Sequence, residues 1–306
     1  MSTEEGWHTV DDGAKLYTKT WKASDEKARL VFVHGFSDHC NAYYNFFPTL
    51  SAKGITVYAF DQRGWGRSVI KSSQKGLTGP TTRVLADITS LIRPLTPSPV
   101  PLFLMGHSMG GAEVLTWMSQ GPADVKKHIR GYLAETPFIA IHPSTRPLKM
   151  TVVLGRLAGK VLPRKQMVQV IDAKFVSRDS AVQKAFAEDR LCHDTGTLEG
   201  LAGMLDRAAD LENGKVKISE GAGEGGITRL WVGHGTEDKV CSYGAAKEFF
   251  DTVTVKDKEF KTYPGWYHKL HAEPGEDSIT FANDIAKWIL DRSGATGEPN
   301  ESKSKL

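Results

Sequence analysis

The stretch Pro101-Leu-Phe-Leu-Met-Gly106-His107-Ser108-Met109-Gly110-Gly111 constrains the fold more than any other. Leu102 to Met105 is a short apolar run with proline before it and glycine after it. Such a run reads as a buried parallel strand. Met109 to Gln120 reads as a helix. Between them, Gly106-x-Ser108-x-Gly110 is a nucleophile-elbow pattern, a serine on a sharp strand-to-helix turn. Side chains two positions either side of that serine would collide with the neighbouring strand and helix, so both positions are glycine. The hydroxyl is then exposed at a helix N-terminus, where the dipole and free N–H groups favour developing negative charge.

The rest of the chain repeats the strand–helix rhythm. An antiparallel edge hairpin is expected over residues 7–21, with its turn at Asp11-Asp12-Gly13. Strands follow at Leu30–Val33, Ile55–Phe60, Gly131–Thr136, Thr228–Val232 and Glu259–Tyr263. Helices are expected at Tyr43–Lys53, Thr82–Arg93, Tyr243–Phe250 and Asp277–Arg292. This alternation predicts an α/β fold, a mostly parallel sheet with helices on both faces and ligands at the carboxyl ends of the strands. The 306 residues read as a single domain over 1–292, with a mostly helical cap inserted at about 138–212. In that cap Met150, Val153, Leu154, Leu157 and Val161 recur at helical spacing, with Pro163 after them and Lys149, Arg156 and Lys160 off the stripe. Two readings stand: a helix packed on the domain, or an apolar lip that meets lipid, aided by Arg164 and Lys165. Gly214–Gly226 reads as a mobile loop, and residues 293–306 as a disordered tail.

Composition narrows the function. The formal charge of +3 is too small to point to nucleic acid, and no nucleic-acid motif occurs. Cys40, Cys192 and Cys241 lack metal spacing and fit a reducing interior. No metal is expected. No signal peptide or membrane-span run is visible, because Met1 to Gly6 is polar and acidic.

Ser108, Asp238 and His268 each follow a strand, in the order Ser…Asp…His expected of α/β-hydrolases. His268 is expected to take the serine proton as general base, with Asp238 holding the imidazole tautomer. Glu237 adjoins Asp238, but adjacent loop side chains seldom point the same way. His271 competes with His268, which is nearer the strand end. The strand ending in His34-Gly35 places Phe36 N–H as one oxyanion donor, with Met109 N–H as the other. His34, His107 and His234 read as polar core groups. Asp61 and Arg63 read as structural, paired with each other or with backbone N–H groups.

On His34-Gly35, Phe60-Asp-Gln-Arg-Gly64, Gly106-His-Ser-Met-Gly-Gly111, His234-Gly-Thr-Glu-Asp238 and Gly265-Trp-Tyr-His268-Lys-Leu-His271, the chain resembles the monoacylglycerol lipase family from Trp7 to Arg292. The resemblance implies cofactor-free hydrolysis of a lipid-like acyl ester, monoacylglycerol, to fatty acid and glycerol. It implies Ser108, Asp238 and His268 as the triad and Phe36 and Met109 as oxyanion donors. It also implies His271 near the glycerol end of the pocket and Cys241 near the acyl tunnel. Asp38 keeps a carboxylate in its loop and is expected to contact substrate, while the arginine of the glycerol end is absent. A peroxisomal acyl-CoA thioesterase or acyltransferase uses the same triad. A binding protein on this fold needs no nucleophile, which disfavours that reading. The closing Ser304-Lys305-Leu306 reads as a signal for the peroxisomal import receptor, with the cytoplasm as the alternative address.

Overall fold

The computed structural model describes residues 2–146 and 157–294. The expectations for Lys149 to Arg156 and for the Ser304-Lys305-Leu306 tail therefore lie outside the described residues. The strands are β1 (Ser2–Thr9), β2 (Lys15–Lys22), β3 (Ala28–Val33), β4 (Ile55–Phe60), β5 (Leu102–His107), β6 (Ile129–Glu135), β7 (Gln166–Val168), β8 (Thr195–Thr197), β9 (Arg229–Gly235) and β10 (Asp257–Tyr263). The helices used below are α1 (Phe46–Ala52), α2 (Thr81–Ile92), α3 (Met109–Gln120), α4 (Ala123–Lys126), α5 (Ser180–Glu188), α6 (Leu198–Glu212), α7 (Tyr243–Thr252) and α8 (Glu276–Asp291).

The main sheet runs in the order β1-β2-β4-β3-β5-β6-β9-β10. The hairpin β1–β2 and the pair β2–β4 are antiparallel, and every later pairing is parallel. This is the arrangement of an α/β-hydrolase sheet. Residues along a strand point alternately to opposite faces. Val31, Val33, Leu102, Leu104, Tyr132, Leu230 and Val232 accordingly join one core, under α2, α3, α6 and α7. Leu30, Phe32, Phe103, Met105, Leu133 and Trp231 join the other, under α1 and α8. Burial on both faces explains why the central strands read as unbroken apolar runs. In α8, Phe281, Ala282, Ile285, Trp288 and Ile289 form the i, i+4, i+8 stripe that covers the second face. Each large side chain of that stripe, fully buried, contributes about 1.5–3 kcal/mol.

The segment between β6 and β9 is mostly helical as expected but is not helix alone. It contains the antiparallel pair β7–β8 as well as α5 and α6. Thr197 caps α6 by accepting from Gly200 N–H and donates to Gly76 O, tying the cap to the core. Leu157 and Val161 are 55% and 78% exposed, so the helical turn that carries them does not bury them on the domain. Residues 214–226 also depart from expectation. Val216, Ile218 and Ala222 are buried, and Tyr132 donates to Ala222 O at 2.6 Å, which pins the segment to the core. At the end of α8, Arg130 holds the carbonyls of Arg292 and Gly294, so Ser293 and Gly294 are anchored rather than free. Among the described residues no helix is long and apolar enough to cross a membrane.

Candidate active site

The elbow is built by steric exclusion. Ser108 takes φ 55° and ψ −118°, a strained backbone for a residue with a Cβ. A Cβ on Gly106 would lie 2.2 Å from Gly110 O, and one on Gly110 would lie 2.2 Å from Val33 O. Only glycine fits at either place. The turn is fixed by Ser108 N–H donating to Glu135 O and by Phe138 N–H donating to Ser108 O, both at 2.9 Å.

His268 Nε2 lies 2.9 Å from Ser108 Oγ, and His268 Nδ1 lies 2.8 Å from Asp238 Oδ2. Three residues that follow three separate strands thus form one hydrogen-bonded line. The other Asp238 oxygen accepts from the N–H groups of Val240 and Cys241, at 2.7 and 2.9 Å. His234 Nε2 approaches Asp238 Oδ2 at 3.1 Å. Burial alone raises a carboxyl pKa, but the two imidazoles hold Asp238 well below the usual carboxylate range. Asp238 is therefore ionised and fixes His268 with Nδ1–H toward it and Nε2 free to accept the serine proton. Thr136 donates to His268 O at 3.0 Å and anchors the histidine loop.

Phe36, Ser108 and Met109 share the wall of a cavity of about 300 Å³. The rest of that wall is largely apolar and comes mainly from the cap: Phe138, Ile171, Phe175, Leu201 and Met204 among others. Phe36 packs edge-on against the buried Trp65, with ring centroids 4.8 Å apart.

The remaining site candidates sit behind this wall. Asp38 is buried, accepts from Tyr43 at 3.1 Å and pairs with Lys269 Nζ at 2.8 Å. Burial opposes its ionisation, yet the Lys269 ammonium keeps its pKa below the ordinary value. His271 bonds to Glu135 at 2.7 Å, and its side chain is fully buried. Neither residue lines the cavity, in contrast to the substrate contact expected of both. The 3₁₀ turn Leu270–Ala272 swings His271 inward, and Lys269 supplies Asp38 with a partner inside the protein. Cys241 Sγ lies 3.9 Å from Ser108 Oγ but is fully buried beside the triad rather than on the cavity wall. Burial and the adjacent Asp238 charge push its thiol well up, so it stays protonated at neutral pH. Glu237 is turned toward Lys239 and away from His268. His107 meets Tyr43 at 3.1 Å, and burial, then the charges of His268, His271 and Lys269, push its pKa well down. Asp61 accepts from the N–H groups of Cys40 and Arg67, while Arg63 pairs with Asp87 and Asp12, so both are structural but not partners.

Sequence reasoning missed two contributors. His234 was readable only as a histidine four residues before the acid. Lys269, flanked by the two histidines, gives no signal for a partner in a loop 231 residues earlier.

Residues 24–275 match the family model described as serine aminopeptidase, S33. A putative monoglyceride lipase of Schizosaccharomyces pombe is 35% identical over 284 residues, 92% of this chain and 72% of that protein. The monoglyceride lipase of Saccharomyces cerevisiae is 27% identical over 301 residues, 94% of each. The crystal structure of a soluble variant of the Saccharomyces cerevisiae monoglyceride lipase, in complex with a substrate analog, is similar with TM-score 0.86 and 25% identity, covering 96% of this chain and 97% of that one.

Proposed function

The chain belongs to the monoglyceride lipase family of α/β-hydrolases, and we propose that it hydrolyses monoacylglycerols to a fatty acid and glycerol. One observation carries the reading: the Ser108–His268–Asp238 line opens, at Ser108, on an apolar cavity.

Ser108 Oγ attacks the ester carbonyl while His268 Nε2 takes its proton. The N–H groups of Phe36 and Met109 receive the oxyanion; one such donor is worth about 10²–10³ in turnover. The tetrahedral adduct collapses, His268 protonates the glycerol oxygen, and the acyl group remains on Ser108. Water then attacks the acyl-enzyme, with His268 again as base, and the fatty acid leaves. A cavity of about 300 Å³ is small among ligand sites and favours one acyl chain over three. An aminopeptidase needs carboxylates to seat the substrate ammonium. The cavity wall has one, Asp172, which is already paired with Lys174.

The test is a rate comparison on 1-monooleoylglycerol, emulsified triolein, oleoyl-CoA and an aminoacyl amide. Monooleoylglycerol should be fastest. Comparable turnover of triolein overturns the substrate assignment, and fastest turnover of oleoyl-CoA moves it to a thioesterase. The exposed apolar residues Leu157, Val161 and Leu162 support a transient membrane contact beside the cavity. Ser304-Lys305-Leu306 supports import into peroxisomes wherever Leu306 bears the free carboxylate. A fluorescent fusion at the N-terminus should lose punctate localisation on removal of Leu306; diffuse signal from both forms sinks that address.

A further inference from the structure

The cap bears a charge pattern that a neutral substrate does not require. Residues 157–170 contain Lys160, Arg164 and Lys165 and no carboxylate. All three cations are exposed. None has an ion pair among the described residues, whereas Arg146 and Lys174, also in the cap, are paired with Glu212 and Asp172. They alternate with large apolar groups: Val161, Leu162 and Val168 are 78%, 57% and 65% exposed. Two members of the same segment, Met167 and Val170, line the cavity that holds Ser108. Unpaired cations interleaved with exposed aliphatic side chains fit a surface that is apolar beneath and anionic above.

The reaction itself can make such a surface. Hydrolysis adds water across the ester, giving a carboxylic acid and an alcohol. The acid loses its proton to solvent, and its chain keeps the carboxylate in the bilayer. We propose that the 157–170 face binds an anionic lipid bilayer and that the released fatty acid supplies the charge, so that turnover on a neutral membrane accelerates as product accumulates. The feedback half of this rests on the ester-hydrolase reading; the binding half does not.

Each cation near an anionic leaflet adds about fivefold to partitioning, and three together on the order of a hundredfold, falling off within a Debye length. The binding arm uses the full chain carrying Ser108→Ala, so that no turnover intervenes. Its partitioning is measured on vesicles of phosphatidylcholine alone and of phosphatidylcholine doped with oleate. Oleate should raise partitioning by up to about a hundredfold, added salt should reverse the gain, and Arg164→Gln or Lys165→Gln should each remove about fivefold. Equal partitioning on the two vesicle types overturns the proposal.

The kinetic arm follows the unmutated enzyme on phosphatidylcholine vesicles holding monooleoylglycerol. Progress curves should bend upward, and both albumin, which strips fatty acid, and the Arg164→Gln/Lys165→Gln double variant should straighten them. Straight curves from the unmutated enzyme overturn the feedback. A water-soluble butyrate ester is assayed in parallel, and the double variant should hydrolyse it like the unmutated enzyme. Failure of both proteins on that ester indicts the hydrolase reading instead, and leaves the vesicle result to judge the surface.

Discussion

Asp238 and His268 meet at 2.8 Å, and Glu135 and His271 meet at 2.7 Å. Both carboxylates and both histidines are buried, and the two histidines are three positions apart. His268 turns its second nitrogen to Ser108. His271 instead lies against Tyr43, with ring centroids 4.4 Å apart, and its Nε2 has no hydrogen-bond partner among the described residues. A carboxylate–imidazole pair therefore fixes a tautomer and no more. Catalysis also requires a nucleophile within reach and a cavity where a reacting carbon can sit.

The largest effects should separate the two pairs by activity. Ser108→Ala and His268→Ala should each lower kcat by about 10⁴-fold or more, and the double change should cost little beyond either single one. The thermal midpoint of each should stay within a few degrees of the parent, since neither change removes a large apolar side chain. Fluorophosphonate labelling that persists in Ser108→Ala breaks the assignment.

The second pair should answer in stability instead. His271→Ala removes the imidazole from buried Glu135, which keeps only the backbone N–H of residue 271, and this costs about 1–3 kcal/mol. Activity per folded molecule should fall far less than in His268→Ala. Denaturant unfolding and active-site titration, done on the same preparation, read the two effects separately. A kcat loss in His271→Ala as deep as that of His268→Ala means that the wrong histidine has been placed at the serine.

The elbow and its sheet were legible because their determinants are local. Gly106 and Gly110 flank Ser108 within five residues, and Leu102–Met105 is apolar throughout because both its faces are covered. The cap was less legible. β7 and β8 have three residues each and pair across 26 intervening residues, so neither shows a period of its own. The swing of His271 away from the cavity was hidden for a similar reason. It depends on Glu135, at the end of a strand 136 residues earlier, and no spacing near His268 encodes that.

A third buried carboxylate sharpens the contrast, with a partner that cannot lose its charge. Glu113, on α3 below Ser108, accepts from Arg207 of α6 at 3.0 Å, and both side chains are buried. Arg207 also donates to Thr81 of α2 at 3.1 Å, so it ties the cap to α2 as well as to the elbow helix. Burial pushes the Glu113 pKa from 4.5 up to about 7, although Arg207 and then Gln62 oppose the rise. The sign is opposite to that of Asp238. A depressed carboxyl pKa contributes stability above its unfolded value, and loses it only as the pH falls. A raised one makes the native state hold the extra proton. Stability should then decline as pH rises through the window from 4.5 to about 7, with nothing lost below it and the full loss reached above it. The span corresponds to a loss on the order of 3 kcal/mol. Glu113→Gln keeps the shape and an acceptor for Arg207 but does not titrate. Its melting temperature should change less across that window than the parent's, with soluble-ester hydrolysis retained because Glu113 does not itself line the cavity. Two parallel melting profiles between those pH values would show that the buried pair stays ionised throughout and that pH acts on this fold elsewhere.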